Sequence, residues 1–280
     1  MDIFIKRRKV FYIISLLIII PGLVSLVMNG LNLGIDFTGG SIIQVQMDSS
    51  VQSAQVRSTL KEIGMERADV SKSGNQFLIR TTELDQEQTR QLLDALESKF
   101  KNVEFLSAES VGAAIGKELT NKAILAVIIA AFAMLIYITI RFEWTFGVAA
   151  IVSEIHDVLF VLGLFSLFQW EINTSFIAAI LTVVGYSIND TIVIFDRIRE
   201  NLRMKRKEDY ANLVNRSITQ SLNRSINTVL TSLFALVALL VFGGGNIRYF
   251  ILAMVIGFVV GCYSSIFVAS PVWYDIKNRA

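Results

Sequence analysis

Acidic and basic side chains stand inside long apolar runs, and that juxtaposition constrains this chain more than any other feature. Six apolar segments can be read: Val10–Met28, Ala123–Ile140, Phe146–Phe168, Phe176–Phe195, Ile226–Phe242 and Tyr249–Trp273. About 20 mostly apolar residues in a helix cross the roughly 30 Å hydrocarbon core of a bilayer. Composition points the same way. The chain is 53% hydrophobic and 18% charged with mean hydropathy +0.56, where soluble domains carry about 25% charged residues. A net charge of +2 gives no electrostatic footprint for nucleic acid. The single cysteine, Cys262, excludes an intramolecular disulfide. Lys6-Arg7-Arg8-Lys9 ahead of the first segment mimics a signal peptide. The apolar stretch behind it is longer than such peptides use and no A-x-A-like site follows, so an uncleaved first span is expected.

Lysine and arginine bias sets the expected orientation. Lys6 to Lys9, Arg141, the stretch Arg197, Arg199, Arg203, Lys205, Arg206 and Lys207, and Lys277 with Arg279 all fall on one side of six spans. The alternate connections Gln169–Ser175 and Gly243–Ile247 carry no lysine or arginine. The fold class expected is a polytopic α-helical membrane protein with both termini cytoplasmic. Its parts are residues 1–29 (N-terminus and first span), 30–120 (an external domain), 121–275 (five more spans, with a cytoplasmic segment near 197–222) and the tail 276–280. Within that segment, Glu208–Leu222 places Tyr210, Leu213, Val214, Ile218 and Leu222 on one face and predicts an interfacial helix.

The polar stretch between the first two spans suffices for a small domain. Strands are expected at Ser41–Met47, Ala68–Lys72, Asn75–Thr81 and Asn102–Ser107, and helices at Val51–Ile63 and Asp85–Phe100, the latter capped by Asp85. The order β-α-β-β-α-β is ferredoxin-like. No histidine–cysteine cluster or nucleophile constellation stands here, so a binding or lever domain is favoured over an enzyme.

Insertion scales put Asp, Arg or Lys at about +2.5 to +3.5 kcal/mol at a span centre, so each such residue asks for a reason. The third span holds Ser153, Glu154, His156 and Asp157; Ser153, His156 and Asp157 share a face at i, i+3, i+4. The fourth holds Asn189 and Asp190. The fifth carries Arg224, Asn227, Thr228 and Thr231 as a polar stripe at i, i+3, i+4, i+7, which must face protein or water. The fourth and fifth spans run antiparallel, so Asp190 and Arg224 can meet at one depth. Burial and a nearby guanidinium pull a carboxyl in opposite directions, and such a pair serves either as a proton site or as a fixed packing contact. A metal site from Glu154, His156 and Asp157 lacks H-E-x-x-H spacing and a second histidine. Gly257-x-x-x-Gly261 with Ser264 and Ser265 reads as a small-residue packing face. Gly243-Gly244-Gly245 reads as a turn, not a phosphate loop.

Several motifs match a known family. Gly34-Ile35-Asp36-Phe37-Thr38-Gly39-Gly40 resembles the signature of the SecD/SecF family. The run Val184-Gly185-Tyr186-Ser187-Ile188-Asn189-Asp190-Thr191-Ile192-Val193-Ile194-Phe195-Asp196-Arg197-Ile198-Arg199-Glu200-Asn201, together with His156-Asp157 and Leu222-Asn223-Arg224-Ser225, is similar to the SecF branch. The resemblance spans essentially the whole chain, and the short external region favours that branch over SecD. It implies a non-enzymatic accessory subunit of the bacterial Sec export machinery, in the resistance–nodulation–division superfamily and without cofactor or metal. It also implies residence in the bacterial cell (inner) membrane. The partners implied are SecD, the SecYEG channel, YajC- or YidC-type accessory proteins, exported preproteins and the lipid bilayer. The activity implied is use of the proton motive force in late, ATP-independent steps of translocation. The family's essential carboxylate and arginine map onto Asp190 and Arg224, with Asn189, His156, Asp157, Glu154, Asn227 and Thr228 as supporting polar residues. The signature glycines and acid map onto Gly34, Asp36, Gly39 and Gly40. Two other readings stay open: a proton-driven exporter of small molecules or lipids, and a non-pumping assembly scaffold.

Overall fold

The computed structural model describes residues 3–66, 68–204, 208–242 and 247–278. Lys205, Arg206, Lys207, Arg279 and the turn expected at Gly243-Gly244-Gly245 lie outside the described residues. The described residues fall into two compact units.

One unit covers Leu33–Ile124. It holds a four-stranded antiparallel sheet of β1 (Gly40–Gln46), β2 (Asp69–Ser73), β3 (Gln76–Thr81) and β4 (Glu104–Val111), in the order β2-β3-β1-β4. The helices Ser53–Glu62 and Gln86–Lys99 complete the β-α-β-β-α-β order. Alternation along β1 sends Ile43 and Val45 inward, opposite Ile79 and Phe77 of β3, into a core closed by Val56, Leu60, Leu92 and Leu96. Asp85 caps the second helix by accepting a 2.8 Å hydrogen bond from Gln88 N. The glycine pair ahead of β1 is steric in origin. Gly39 sits at φ = +75°, where an added Cβ would stand 2.9 Å from Ala113 Cα; at Gly40, φ is +133° and the Cβ would meet the Thr81 carbonyl oxygen at 2.6 Å.

The other unit contains six helices long and apolar enough to cross a membrane: Arg8–Met28, Ala113–Arg141, Trp144–Leu167, Thr174–Arg203, Tyr210–Phe242 and Arg248–Lys277. Of these, the second helix begins within the sheet-bearing unit. Four helices make the inner bundle. The first and third meet at Gly22 and Gly163, where a Cβ on Gly22 would lie 2.6 Å from Gly163 Cα. The fourth and sixth meet at the expected small-residue face: a Cβ on Gly257 would fall 2.2 Å from Val183 Cγ2, and one on Gly261 would fall 2.9 Å from Ser187 Cβ. By contrast the most apolar stretch of the second helix is only 6% buried, against 56% for the sixth. Ile128, Phe132 and Ile140 on the second helix are open to the surroundings.

Basic ends gather at one end of this bundle. Arg141 and Arg199 both pair with Asp196, at 3.4 and 3.3 Å, and Arg8 pairs with Asp275 at 2.8 Å. The fifth span extends one expectation. The helix expected over Glu208–Leu222 begins at Tyr210 and runs on without a break into the span, and its apolar Leu213, Val214 and Ile218 are buried against protein.

The sixth span is not regular. Ser265–Ala269 forms a π-helical turn between the α-helical stretches Arg248–Ser264 and Ser270–Lys277. Pro271 supplies the cause. It lacks an N–H, and in an α-helix its ring would press on the carbonyl four residues back. The Ser270 hydroxyl donates to the Ser265 carbonyl at 2.9 Å across the widened turn.

Candidate intramembrane carboxylate site

Three acidic residues, Glu154, Asp157 and Asp190, lie on the third and fourth spans. Asp157 is fully buried and saturated with donors. Ser187 and Ser264 donate to its Oδ2 at 2.6 and 2.7 Å, and His156 Nδ1 lies 2.9 Å from its Oδ1. The other imidazole nitrogen, Nε2, is 2.9 Å from Ser15 Oγ of the first span. Ser15 Oγ lies 3.3 Å from Tyr263 Oη, which donates to the Phe11 carbonyl at 2.8 Å. This chain can be satisfied with His156 in either charge state. With Nδ1 protonated alone, Ser15 donates to Nε2; with both nitrogens protonated, Nε2 donates to Ser15 and Ser15 turns to Tyr263.

Asp190 is arranged differently. It lies a single turn beyond Ser187 on the fourth span and is buried at 7% exposure, yet its Oδ2 has no hydrogen-bond partner. The hydroxyls of Ser225 and Ser265 flank it without closing a bond on that oxygen. Buried polar atoms are paired in the large majority of cases, so a bare carboxylate oxygen here is a group with capacity to spare. Next to it, Thr191 and Ser265 join hydroxyls at 2.8 Å.

Arg224 acts on Asp190 through its charge, but no ion pair within 4.0 Å joins them among the described residues. The arginine is exposed in the single chain, as are Asn227, Thr228 and Thr231. The stripe expected on the fifth span therefore exists and looks away from this chain's own core. Thr228 and Thr231 turn their hydroxyls back on the helix, to the Arg224 and Thr228 carbonyls at 2.7 and 2.9 Å. Asn189 is exposed and stands outside the cluster. Glu154 is only partly buried but both its carboxyl oxygens are buried without a partner, at the wall of a cavity of about 260 Å³ between the second, third and fourth spans. Ser153 is buried with its hydroxyl unpaired. In the other unit, Gly34 precedes the short helix Ile35–Thr38, which carries Asp36, and Gly39 ends it.

Ser264 and Ser265 correct the sequence reading. They were expected only to let helices approach; Ser264 also donates to Asp157, and Ser265 bonds the hydroxyl of Thr191, the residue after Asp190. The signal available was their spacing of i+3 and i+4 from Gly261, which puts them on the face that meets the fourth span. Ser15, a lone hydroxyl in an apolar run, carried no such signal.

Six span-length helices among the described residues, with Asp157 held by three side chains and buried carboxyl oxygens left unpaired on Asp190 and Glu154, together with a small ferredoxin-like sheet domain, define a polytopic helical membrane protein with acids buried among its spans. The family model described as "Protein export membrane protein SecD/SecF, C-terminal" matches residues 91–279, and the one described as the SecD/SecF GG motif matches residues 24–51. The chain is 42% identical to the protein translocase subunit SecF of Sebaldella termitidis, covering 98% of this chain and 91% of that one. It is 41% identical to SecF of Haemophilus influenzae, over 99% and 86% of the two chains. The solved structure of SecDF, a translocon-associated membrane protein from Thermus thermophilus, superposes with TM-score 0.92 at 40% identity, covering 99% of this chain and 38% of that one. This chain thus spans less than half of the fused SecDF proteins it matches. It belongs to the SecD/SecF family.

Proposed function

We propose that this chain is a SecF-type accessory subunit of the Sec protein translocase. With a SecD-type partner it uses inward proton flow to promote late, ATP-independent steps of preprotein passage through a SecYEG channel. The relatives' names support the class, and the fused SecDF proteins support SecD as the partner. The observation that carries the mechanism is the bare, buried Oδ2 of Asp190. A proton arriving from outside binds Asp190, its attraction to Arg224 weakens, the spans shift and the external domain changes its pose; the proton then leaves to the cytoplasm. Each charge crossing is worth about 2.3 kcal/mol per 100 mV, enough to bias a conformational equilibrium roughly fiftyfold. Arg224, Asn227 and Thr228 form the face that the partner covers, since an arginine left against lipid is costly. His156, Asp157 and Glu154 form the supporting acid cluster, and Asn189 borders it on the outer face of the fourth span. The basic bundle end is cytoplasmic, both termini lie there, and the membrane is the bacterial inner membrane. The signature Gly34, Asp36, Gly39 and Gly40 sets the entry of the chain into the external sheet.

The test is gradient-dependent export in membrane vesicles. Asp190→Asn, assembled normally with its partner, is expected to export at the rate seen without a gradient. A wild-type response to the gradient overturns the proposal.

A further inference from the structure

Two buried carboxyls, Asp157 and Asp190, are each approached by a serine of one short stretch of the sixth span. Ser264 donates to Asp157 Oδ2 at 2.7 Å. Its neighbour Ser265 flanks Asp190 and bonds Thr191, the residue after that acid, at 2.8 Å. Ser265 also donates to the Gly261 carbonyl at 2.9 Å and lies 3.5 Å from the Ser187 carbonyl oxygen, while Ser187 itself donates to Asp157. Ser187, Thr191, Ser264 and Ser265 are all buried. Adjacent residues on a helix point about 100° apart, so one small rotation of this stretch moves both serines at once. The π-helical turn Ser265–Ala269 begins at the second serine. Such a turn holds one more residue than an α-helical turn, and passing that residue along the helix rotates everything before it.

We propose that Ser264 and Ser265, set by the π-helical turn behind them, are positioning residues that couple the charge state of Asp190 to the Asp157–His156 pair and through it to Ser15 of the first span. The coupling deepens the proton-site reading above and rests on it: it is how a proton on Asp190 reaches a helix that Asp190 does not touch. A proton on Asp190 turns an acceptor oxygen into a donor. Ser265 is the nearest sixth-span hydroxyl able to take that bond, and turning towards it drags Ser264 from Asp157. The freed acceptor site on Asp157 changes the bond to His156 Nδ1, and His156 changes its bond to Ser15. The other titratable groups facing this cluster are Glu154 on the third span, Tyr186 on the fourth, Arg224 on the fifth, and Cys262 and Tyr263 on the sixth.

His156 is the only histidine in the chain, so it reports alone. The experiment labels histidine with nitrogen-15 in the full chain in lipid nanodiscs and follows the two imidazole signals. Asp190→Asn is expected to displace them in the wild-type background. In a Ser264→Ala, Ser265→Ala background the same change is expected to displace them about threefold less or more weakly still, the non-additivity that contacting residues show. Ser264→Thr with Ser265→Thr keeps both hydroxyls and is expected to restore the displacement. Pro271→Ala removes no hydroxyl, lets the turn regularise and is expected to weaken the displacement as the alanines do. An equal displacement in the presence and absence of the serines, or none in the wild type, overturns the coupling. Because export is not the readout, failure here is separable from failure of Asp190 as the proton site, which the vesicle assay reads.

Discussion

Asp157 and Asp190 occupy neighbouring places in the same bundle and are treated in opposite ways. Asp157 has three side-chain partners, from the third, fourth and sixth spans, within 2.9 Å; Asp190 has a buried oxygen with none. A carboxyl that is saturated with donors gains nothing from a proton and loses an acceptor if it takes one. An oxygen without a partner in the same surroundings gives up no hydrogen bond when it takes a proton. The difference sets two kinds of buried acid side by side in one bundle: through His156, Ser187 and Ser264 the first is tied to the first, third, fourth and sixth spans, and the second keeps an unpaired oxygen.

Breaking the saturated site should cost the most stability. Asp157→Asn places an amide against two hydroxyl donors and an imidazole, and the unfolding midpoint in detergent should fall by the equivalent of about 3 kcal/mol. Asp190→Asn should leave that midpoint close to wild type while removing the response to the gradient. Gly257→Ala sharpens the comparison from the packing side, since the added Cβ meets Val183 at 2.2 Å. Overpacking of this kind costs about 1–3 kcal/mol, and it should open the interface that holds both acids in register. In the sheet-bearing unit, far in sequence from both acids, Gly39→Ala should lower that domain's midpoint by about 1–2 kcal/mol through its positive φ without altering the carboxylate chemistry. Smallest of all is Arg224→Gln. The arginine is exposed and unpaired with Asp190 within this chain, so the unfolding midpoint of the isolated chain should move by less than about 0.5 kcal/mol. A large loss would show that Arg224 belongs to the fixed cluster instead of the partner-facing side.

Much of this was legible beforehand. Span-length apolar runs, the β-α-β-β-α-β order and the Asp85 cap follow from period, length and capping chemistry, which are local. Asp190 was legible because a charge in a span is costly wherever it points. What was not legible depends on which faces meet. Ser15, Ser264 and Ser265 are small enough to sit on any helix face, and only the packing of four spans shows that three of the faces converge on Asp157 and Asp190. The helix leading into the fifth span was legible, but the burial of Leu213, Val214 and Ile218 against protein was not, because the pattern of its first turns suits a membrane surface and a protein groove equally. That Asp190 and Arg224 lie at one depth is readable from two antiparallel helices in the sequence; whether they touch is not, because it depends on the rotation of each helix, and Arg224 is exposed with no ion pair to Asp190 within 4.0 Å among the described residues. The π-helical turn has a visible cause in Pro271, though a proline near a helix end is more often read as a stop.

The central claim is that Asp190, not Asp157, is the acid that changes protonation. Infrared difference spectroscopy on the full chain in lipid nanodiscs, taken between acid and neutral buffer, reads carboxyl protonation directly. The account predicts one component of the protonated-carboxyl band that disappears in Asp190→Asn and persists, displaced, in Asp157→Asn. A band that survives Asp190→Asn and is lost in Asp157→Asn would contradict it.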